Sequence, residues 1–524
     1  MSKMILVALS TSLLLGCADR PVEKVPPQEF IEDVNTYPLS LETEVDILFV
    51  IDNSNSMGQE QANLARNFPK FIDALRTSKL GSDGSGKPCT TQDSSGCRIP
   101  DVHIGVVSTD LGAGSYGLPS CEVSGGDGGK LLAKPQVAGC TPPSQPYISY
   151  VQGVTNIQGG ASDPVQQVKE AFQCIAEIGT GGCGFEHTLE AARRALDGCG
   201  ADANNDKLGD CKLNPGFIRR DAMLAIVFIT DEDDCSAQKP QLFDPQQTDL
   251  TDPLGPLTSY RCFEFGIQCD INDRSKPGPR KGCRPAYDWL YKVDDYVSFF
   301  KGLKRDEGRV IVSAIAGPAD RVEVGLDAQN PVLRPSCQTI DGNAVPALRI
   351  KGVVDGLKGQ SFPICTNDFG PALKGIADKI VSNINLCLER PPLSSRGGLV
   401  CSAGARIGTD LGGAPVTCDQ SCLERADCVV KEAVPQAGGQ EQLTVLPRCP
   451  TAKFQDPTDK DCGGACPCWR LVPRSSCDQN GLSGYALEIL RRGEAAKGSH
   501  AVVSCQASAL PWGSAEFSAL PQCL

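Results

Sequence analysis

Histidine is nearly missing from this chain, which has only His103, His187 and His500 in 524 residues. With so few imidazoles, and with no paired Cys-x-x-Cys knuckles, tetrahedral zinc sites are a poor account of its cysteines. His103 falls within an expected strand and His187 at an expected helix start, where histidine is usually structural. Common catalytic signatures are absent too. There is no Gly-x-Ser-x-Gly elbow, no His-Glu-x-x-His and no phosphate-cradling Gly-x-x-x-x-Gly-Lys-Ser/Thr. Positive charge is in deficit, and a formal net charge of -13 argues against nucleic acid or an anionic membrane surface as a partner. Beyond the N-terminus no segment is apolar for long enough to cross a bilayer. None of this impedes folding. A hydrophobic content of 40% with 22% charged residues is ordinary for a globular protein, and the length allows two to four domains.

What is plentiful is cysteine, with 27 in all. The N-terminus indicates why. Lys3 precedes an apolar run from Met4 to Leu15, the length of a signal-peptide core and too short to span a membrane. The run ends in Leu14-Leu15-Gly16-Cys17, which resembles a bacterial lipobox. That resemblance implies cleavage before Cys17, acylation of Cys17 and a place in the cell envelope. Ala18 stands where inner-membrane retention usually needs Asp, so outer-membrane sorting is expected, facing the periplasm or the surface. The plain alternative is a secretory signal with an incidental cysteine. Setting Cys17 aside leaves 26 of the 27, an even number that suits disulfides in an oxidising compartment.

Residues 18–43, polar and proline-containing, read as a flexible tether. Then comes Val45-Asp46-Ile47-Leu48-Phe49-Val50-Ile51-Asp52, an apolar run suited to a strand buried on both faces. His103 to Ser108, Met223 to Thr230 and Arg309 to Ala316 repeat the pattern. Helical spacing marks Leu64-Phe68-Ile72-Leu75, where Pro69 should kink or end the helix. It also marks Val165 to Ile175 behind Pro164, Phe185 to Leu196, Trp289 to Lys304 and Phe369 to Ile384. Alternating strands and helices predict an α/β fold, a doubly wound, mostly parallel sheet flanked by helices. Residues 79–101, 111–160, 197–220, 235–287 and 318–367 look like cysteine-bearing insertions. Near pairs such as Cys89 with Cys97, or Cys121 with Cys140, could close them locally, although connectivity is not legible. Residues 389–397 read as a linker and 398–524, with eleven cysteines, as a small disulfide-stabilised module. Its Asp461 to Cys468 segment weakly resembles Cys-Gly-Gly stretches of secreted bacterial proteins.

The chemistry gathers where the first strand ends, in Asp52-Asn53-Ser54-Asn55-Ser56. A tight loop there turns alternate side chains towards one point, and hydroxyls with carboxylates are the hard oxygens Mg²⁺ prefers. The carboxyl ends of strands in an open α/β sheet are also where ligands bind. This Asp-x-Ser-x-Ser, with its preceding strand and following helix, resembles the metal-ion-dependent adhesion site (MIDAS) of von Willebrand factor type A domains. The resemblance covers roughly residues 44–388. It implies a metal held by Asp52, Ser54, Ser56 and Asp231, the last at the family's fourth-strand aspartate. Mg²⁺ is the expected ion, with Mn²⁺ and Ca²⁺ as alternatives; a helix-capping loop without metal is the bland reading.

One departure from the family matters. It takes a threonine from the loop before its third helix, but helix register puts Glu186 nearest that place, with Thr180 and Thr188 flanking. Either Glu186 is a metal ligand, adding negative charge, or it is an exposed carboxylate in a first helical turn. Two weaker signals remain. Asp233 or Asp234 could hold a second ion or lie in a solvated acidic loop. Asp202-x-Asn204-x-Asp206 alternates like a calcium loop, but Lys207 stands where glycine is needed.

The expectation is a lipid-anchored, non-enzymatic binding protein. It would engage a protein or glycan by way of a rim metal, which could accept a carboxylate of the partner. The rivals are an envelope-assembly component in which metal only stabilises the fold, and an enzyme whose activity resides in the C-terminal module.

Overall fold

A computed structural model describes residues 30–38, 44–77 and 99–384, apart from 120, 122–123, 135–137, 201–208, 221, 305–306 and 341. Beyond them it describes 387–388, 390, 392–393, 406–409, 415–417, 426–436, 440–450, 462, 466–473, 485–492 and 499–508. Cys17, Cys89, Cys97 and the Asp202 to Asp206 loop lie outside the described residues.

The apolar runs become the centre of a seven-stranded sheet. In chain order its strands are β2 (Glu44–Ile51), β3 (Asp101–Ser108), β4 (Ile148–Val151), β5 (Val154–Thr155), β6 (Met223–Ile229), β7 (Val310–Ala316) and β8 (Gln360–Pro363). The number β1 belongs to a strand described below. In space the order is β8-β7-β6-β2-β3-β4-β5. The first five are mutually parallel, and β4 and β5 add antiparallel to the edge. The sheet is therefore mixed, because the expected insertion 111–160 supplies an antiparallel edge, while 318–367 supplies a parallel strand at the opposite edge.

Burial on both faces of β2 follows from its alternation. Val45, Ile47, Phe49 and Ile51 pack into one apolar cluster with helices α1 (Gly58–Thr77), α2 (Pro164–Ala176) and α7 (Gly370–Ile384). Leu48 and Val50 face the other, with α3 (Thr188–Ala195), α5 (Val293–Lys301) and α6 (Leu348–Gly356). The remaining helix, α4 (Tyr260–Gly266), sits in the 235–287 segment. Phe49 meets Phe68, Phe71 and Phe172 ring against ring. Truncating such a buried ring costs about 3–5 kcal/mol.

Several expectations need correction. Helix α1 runs on through Pro69. The side chains on either side of it, Phe68, Phe71, Ile72 and Leu75, are all buried, and their packing outweighs a proline cost of about 3 kcal/mol. The helix expected from Trp289 starts only at Val293, because Leu290 pairs with Ala237 in a β-bridge. Cys121 bonds Cys183 and Cys140 bonds Cys174, not each other. These bridges pin a loop to the helical body, and each restricts the unfolded chain by roughly 3–4 kcal/mol.

The expected tether is also shorter than read. Phe30–Pro38 is strand β1, paired antiparallel along its length with His500–Ser508. Its interior carries no proline, so nothing there removes a ladder hydrogen bond. With Cys428–Pro435 and Glu441–Leu446 these strands form a four-stranded sheet. The Cys428–Cys505 bridge crosses it, and Trp469 is buried in the adjoining cluster. Within the expected linker, Leu393 is buried and its N–H donates to Gln506.

Candidate metal centre

Four chain segments interlock where β2, β3 and β6 end. The first is the Asp52 loop. Asp52 N–H donates to the Ile229 carbonyl of β6 (2.9 Å), continuing the ladder past the strand. Its carboxylate then organises the turn, accepting from Ser54 N–H on Oδ1 (2.7 Å) and from the Thr230 hydroxyl on Oδ2 (2.7 Å). Ser54 and Ser56 hydroxyls lie 3.2 Å apart, and α1 begins two residues later. Asp52 and Ser54 are buried while Ser56 is exposed, so the set opens to solvent on one side.

The second segment follows β3. Thr109 N–H bonds the Ile51 carbonyl, and its buried hydroxyl lies close to the Asp52 carboxyl without a well-formed hydrogen bond. The third is the loop from Gly179 to His187. Gly182 N–H donates to the Asn53 carbonyl (2.8 Å), and a Cβ on Gly182 would stand 2.1 Å from Asn53 Oδ1, so any side chain there would have to displace the Asn53 carboxamide. Glu186 is clamped by its backbone: its carbonyl accepts from Cys235 N–H (2.7 Å), and the next N–H, of His187, bonds Thr109 (3.0 Å). The fourth segment is Thr230-Asp231-Glu232, tied to the 337–344 hairpin by Val345 N–H to the Asp231 carbonyl.

The sequence-predicted residues Asp52, Ser54, Ser56, Asp231 and Glu186 are thus neighbours, with the Ser56 hydroxyl close to the Asp231 carboxyl. Glu186 is not the exposed first-turn carboxylate of the bland reading; it is 1% exposed and precedes the helix. Thr188 opens α3, and Thr180 lies beside Gly58. Sequence reasoning passed over Thr109 and Glu232. Thr109 was findable, since it follows an apolar run just as Asp52 does. Asp234 is buried and Asp233 half-buried, and both are engaged by the protein itself. Asp233 accepts from Arg349 and Ile350 N–H at the start of α6, and Asp234 takes Leu189 N–H and the Arg349 guanidinium (3.0 Å).

Electrostatically the centre is under strain. Burial raises the Asp52 carboxyl above its ordinary value, more than its hydrogen bonds lower it. Burial, then repulsion from Asp52 and Glu232, lifts Asp231 to about 8. Burial and Asp52 lift Glu232 to about 7, and burial with Glu232 and Asp52 puts Glu186 well above the usual range. Among the described residues none of these four carboxyls forms an ion pair with Lys or Arg, and Asp231 Oδ1 and Glu186 Oε1 are buried with no hydrogen-bond partner. Buried polar atoms are rarely left so. No three His, Cys, Asp or Glu side chains among the described residues close on a single point. The donors are mixed hydroxyl and carboxylate oxygens, a composition that fits a hard divalent cation better than zinc.

No family model matches the chain and no curated protein matches it. Among solved structures it is similar to the crystal structure of conserved hypothetical protein BatB from Bacteroides thetaiotaomicron. Identity is 11%, over 65% of this chain and 98% of that one, with a TM-score of 0.23. It is also similar to an aerotolerance-related membrane protein from Bacteroides fragilis NCTC 9343, at 12% identity over 64% and 98% of the two chains and a TM-score of 0.22. Both likenesses are slight.

Proposed function

We propose that this chain is a lipid-anchored protein of the bacterial cell envelope, with a von Willebrand factor type A-like domain that binds a protein or glycan through a divalent cation. The observation that carries the reading is that the buried rim carboxyls of Asp52, Asp231 and Glu186 have no basic partner among the described residues, the last two with an orphaned oxygen. Asp52, Ser54, Ser56 and Asp231 would hold the ion, directly or through water, with Glu186 beside them. A bound divalent cation would supply an electron-poor acceptor for a partner's oxygen. The protein's own part is to fix those oxygens at the ends of two strands and to leave Ser56 facing solvent. Lipid attachment at Cys17 and sorting to the outer membrane belong to the same proposal and rest on the Leu14 to Cys17 sequence.

Calorimetric titration of the full chain with Mg²⁺, Mn²⁺ and Ca²⁺ tests the reading. Saturable binding that vanishes in Asp52→Ala supports it. Absence of heat for all three ions would sink it. Binding that raises the melting temperature, with partner capture insensitive to chelator, would leave metal a purely structural role.

A further inference from the structure

Three buried carboxylates elsewhere in this domain are neutralised by basic side chains. Asp46 pairs with Arg219, Glu190 with Arg193 and Arg194, and Asp234 with Arg349. Glu186 and Glu232 break that pattern. Glu186 is 1% exposed, is held by backbone hydrogen bonds to Cys235 and from His187 to Thr109, and has an unpartnered Oε1. Glu232 follows Asp231 directly in the chain, and its carboxyl lies close to those of Glu186 and Asp52 and to Ser259, the residue preceding α4. That segment is stapled to the rim by Cys235–Cys262, and Cys183, three residues before Glu186, is stapled to Cys121. Glu186 is therefore held in place at the rim, and Glu232 stands half-buried beside Asp231.

We propose that the buried Glu186 and the half-buried Glu232 act as a counter-charge to the rim cation, leaving the loaded rim negative, so that it accepts a neutral oxygen donor from a partner in preference to a carboxylate. This rests on the reading that the rim holds a divalent ion. Four carboxylates against one divalent cation leave a charge of minus two. An incoming carboxylate therefore meets a net negative field at the place where the cation would attract it, whereas an amide carbonyl or a hydroxyl offers its lone pair without that repulsion. Neither glutamate needs to touch the ion, since charge at this burial acts over several ångströms.

The test uses the full chain, Mn²⁺, and two probes of equal shape, acetate and acetamide. Binding of Mn²⁺ is measured by calorimetry, and displacement of its bound water by proton relaxation. Glu186→Gln and Glu232→Gln keep the side-chain shape and remove the charge. Each is expected to weaken Mn²⁺ binding roughly tenfold, the equivalent of one pKa unit of lost interaction. Each is also expected to let acetate displace bound water, which acetate fails to do in the parent while acetamide succeeds. Melting in chelator reports folding, and both variants should melt no lower than the parent because repulsion has been removed. Parent-like Mn²⁺ affinity in both variants, or ready displacement by acetate in the parent, overturns the counter-charge. If the parent binds no cation, both this inference and the reading beneath it fall.

Discussion

Strand β2 carries an aspartate at each end, and the two live in opposite electrostatic worlds. At the foot of the sheet Asp46 is fully buried, accepts from Arg219 N–H (2.6 Å) and Nε (2.8 Å), and has Lys304 Nζ at 3.7 Å and His103 Nδ1 at 3.9 Å. At the rim Asp52 is equally buried, but only hydroxyls and an N–H approach it, and its charged neighbours are other acids. The foot is complete in itself. The rim is a set of charges compensated by nothing the described residues contain, as expected where a site is built for something that arrives from outside.

The sharpest way to break this comparison is to remove each aspartate in turn. Asp46→Ala leaves Arg219 and Lys304 buried without their counter-charge and should destabilise the chain by about 3–5 kcal/mol in urea unfolding. Asp52→Asn, in the absence of metal, should cost nothing or stabilise slightly, because it relieves repulsion. Equal losses at the two ends would end the distinction. Next in size is the cation itself. At a hundredfold excess over its dissociation constant it should add about 2.7 kcal/mol of stability to the parent and none to Asp52→Ala, read as a melting shift.

A pH series separates the two ends by sign. Asp231 and Glu232, raised to about 8 and about 7, keep protons in the fold that the unfolded chain releases near 3.8 and 4.5. Their stabilising contribution is complete at low pH and is lost as pH rises through 7 and 8, so the metal-free rim weakens with base. Burial lowers His103, which stays neutral in the fold, so the foot weakens as pH falls below the ordinary histidine value of 6.5. Unfolding of Glu232→Gln and His103→Gln across pH 5 to 9 should flatten the basic and acidic limbs respectively. The smallest effect is expected beside the rim, at Ile340. It is 93% exposed at the tip of the hairpin whose base is bridged to Cys365. Ile340→Ser should change stability by no more than about 0.5 kcal/mol and leave cation affinity untouched; a change in affinity would mean that the hairpin is part of the ion site.

Much of the frame was legible because it depends on local patterns. Continuous apolar runs could only become two-sided strands, and Pro164 behind Asp163 could only start a helix, as the Asp163 cap of α2 shows. The misreadings fell where distant partners decide. Phe30–Pro38 looks like a polar tether until His500–Ser508 lies beside it, and Cys121 has a nearer cysteine in sequence than the one it meets in space. Pro69 reads as a break until the apolar neighbours around it are buried.

The same division holds at the candidate site. Hydropathy and spacing determined that Asp52, Ser54, Ser56 and Asp231 follow strands, because strand ends are written in local runs of side chains. Whether each acid would meet a base depended on segments tens to hundreds of residues away. Arg219 reaches Asp46 across 173 positions, while Glu186 is carried to the rim by a loop clamped between β3 and β6. Charge compensation is a property of distance in space, and only the folded chain sets those distances.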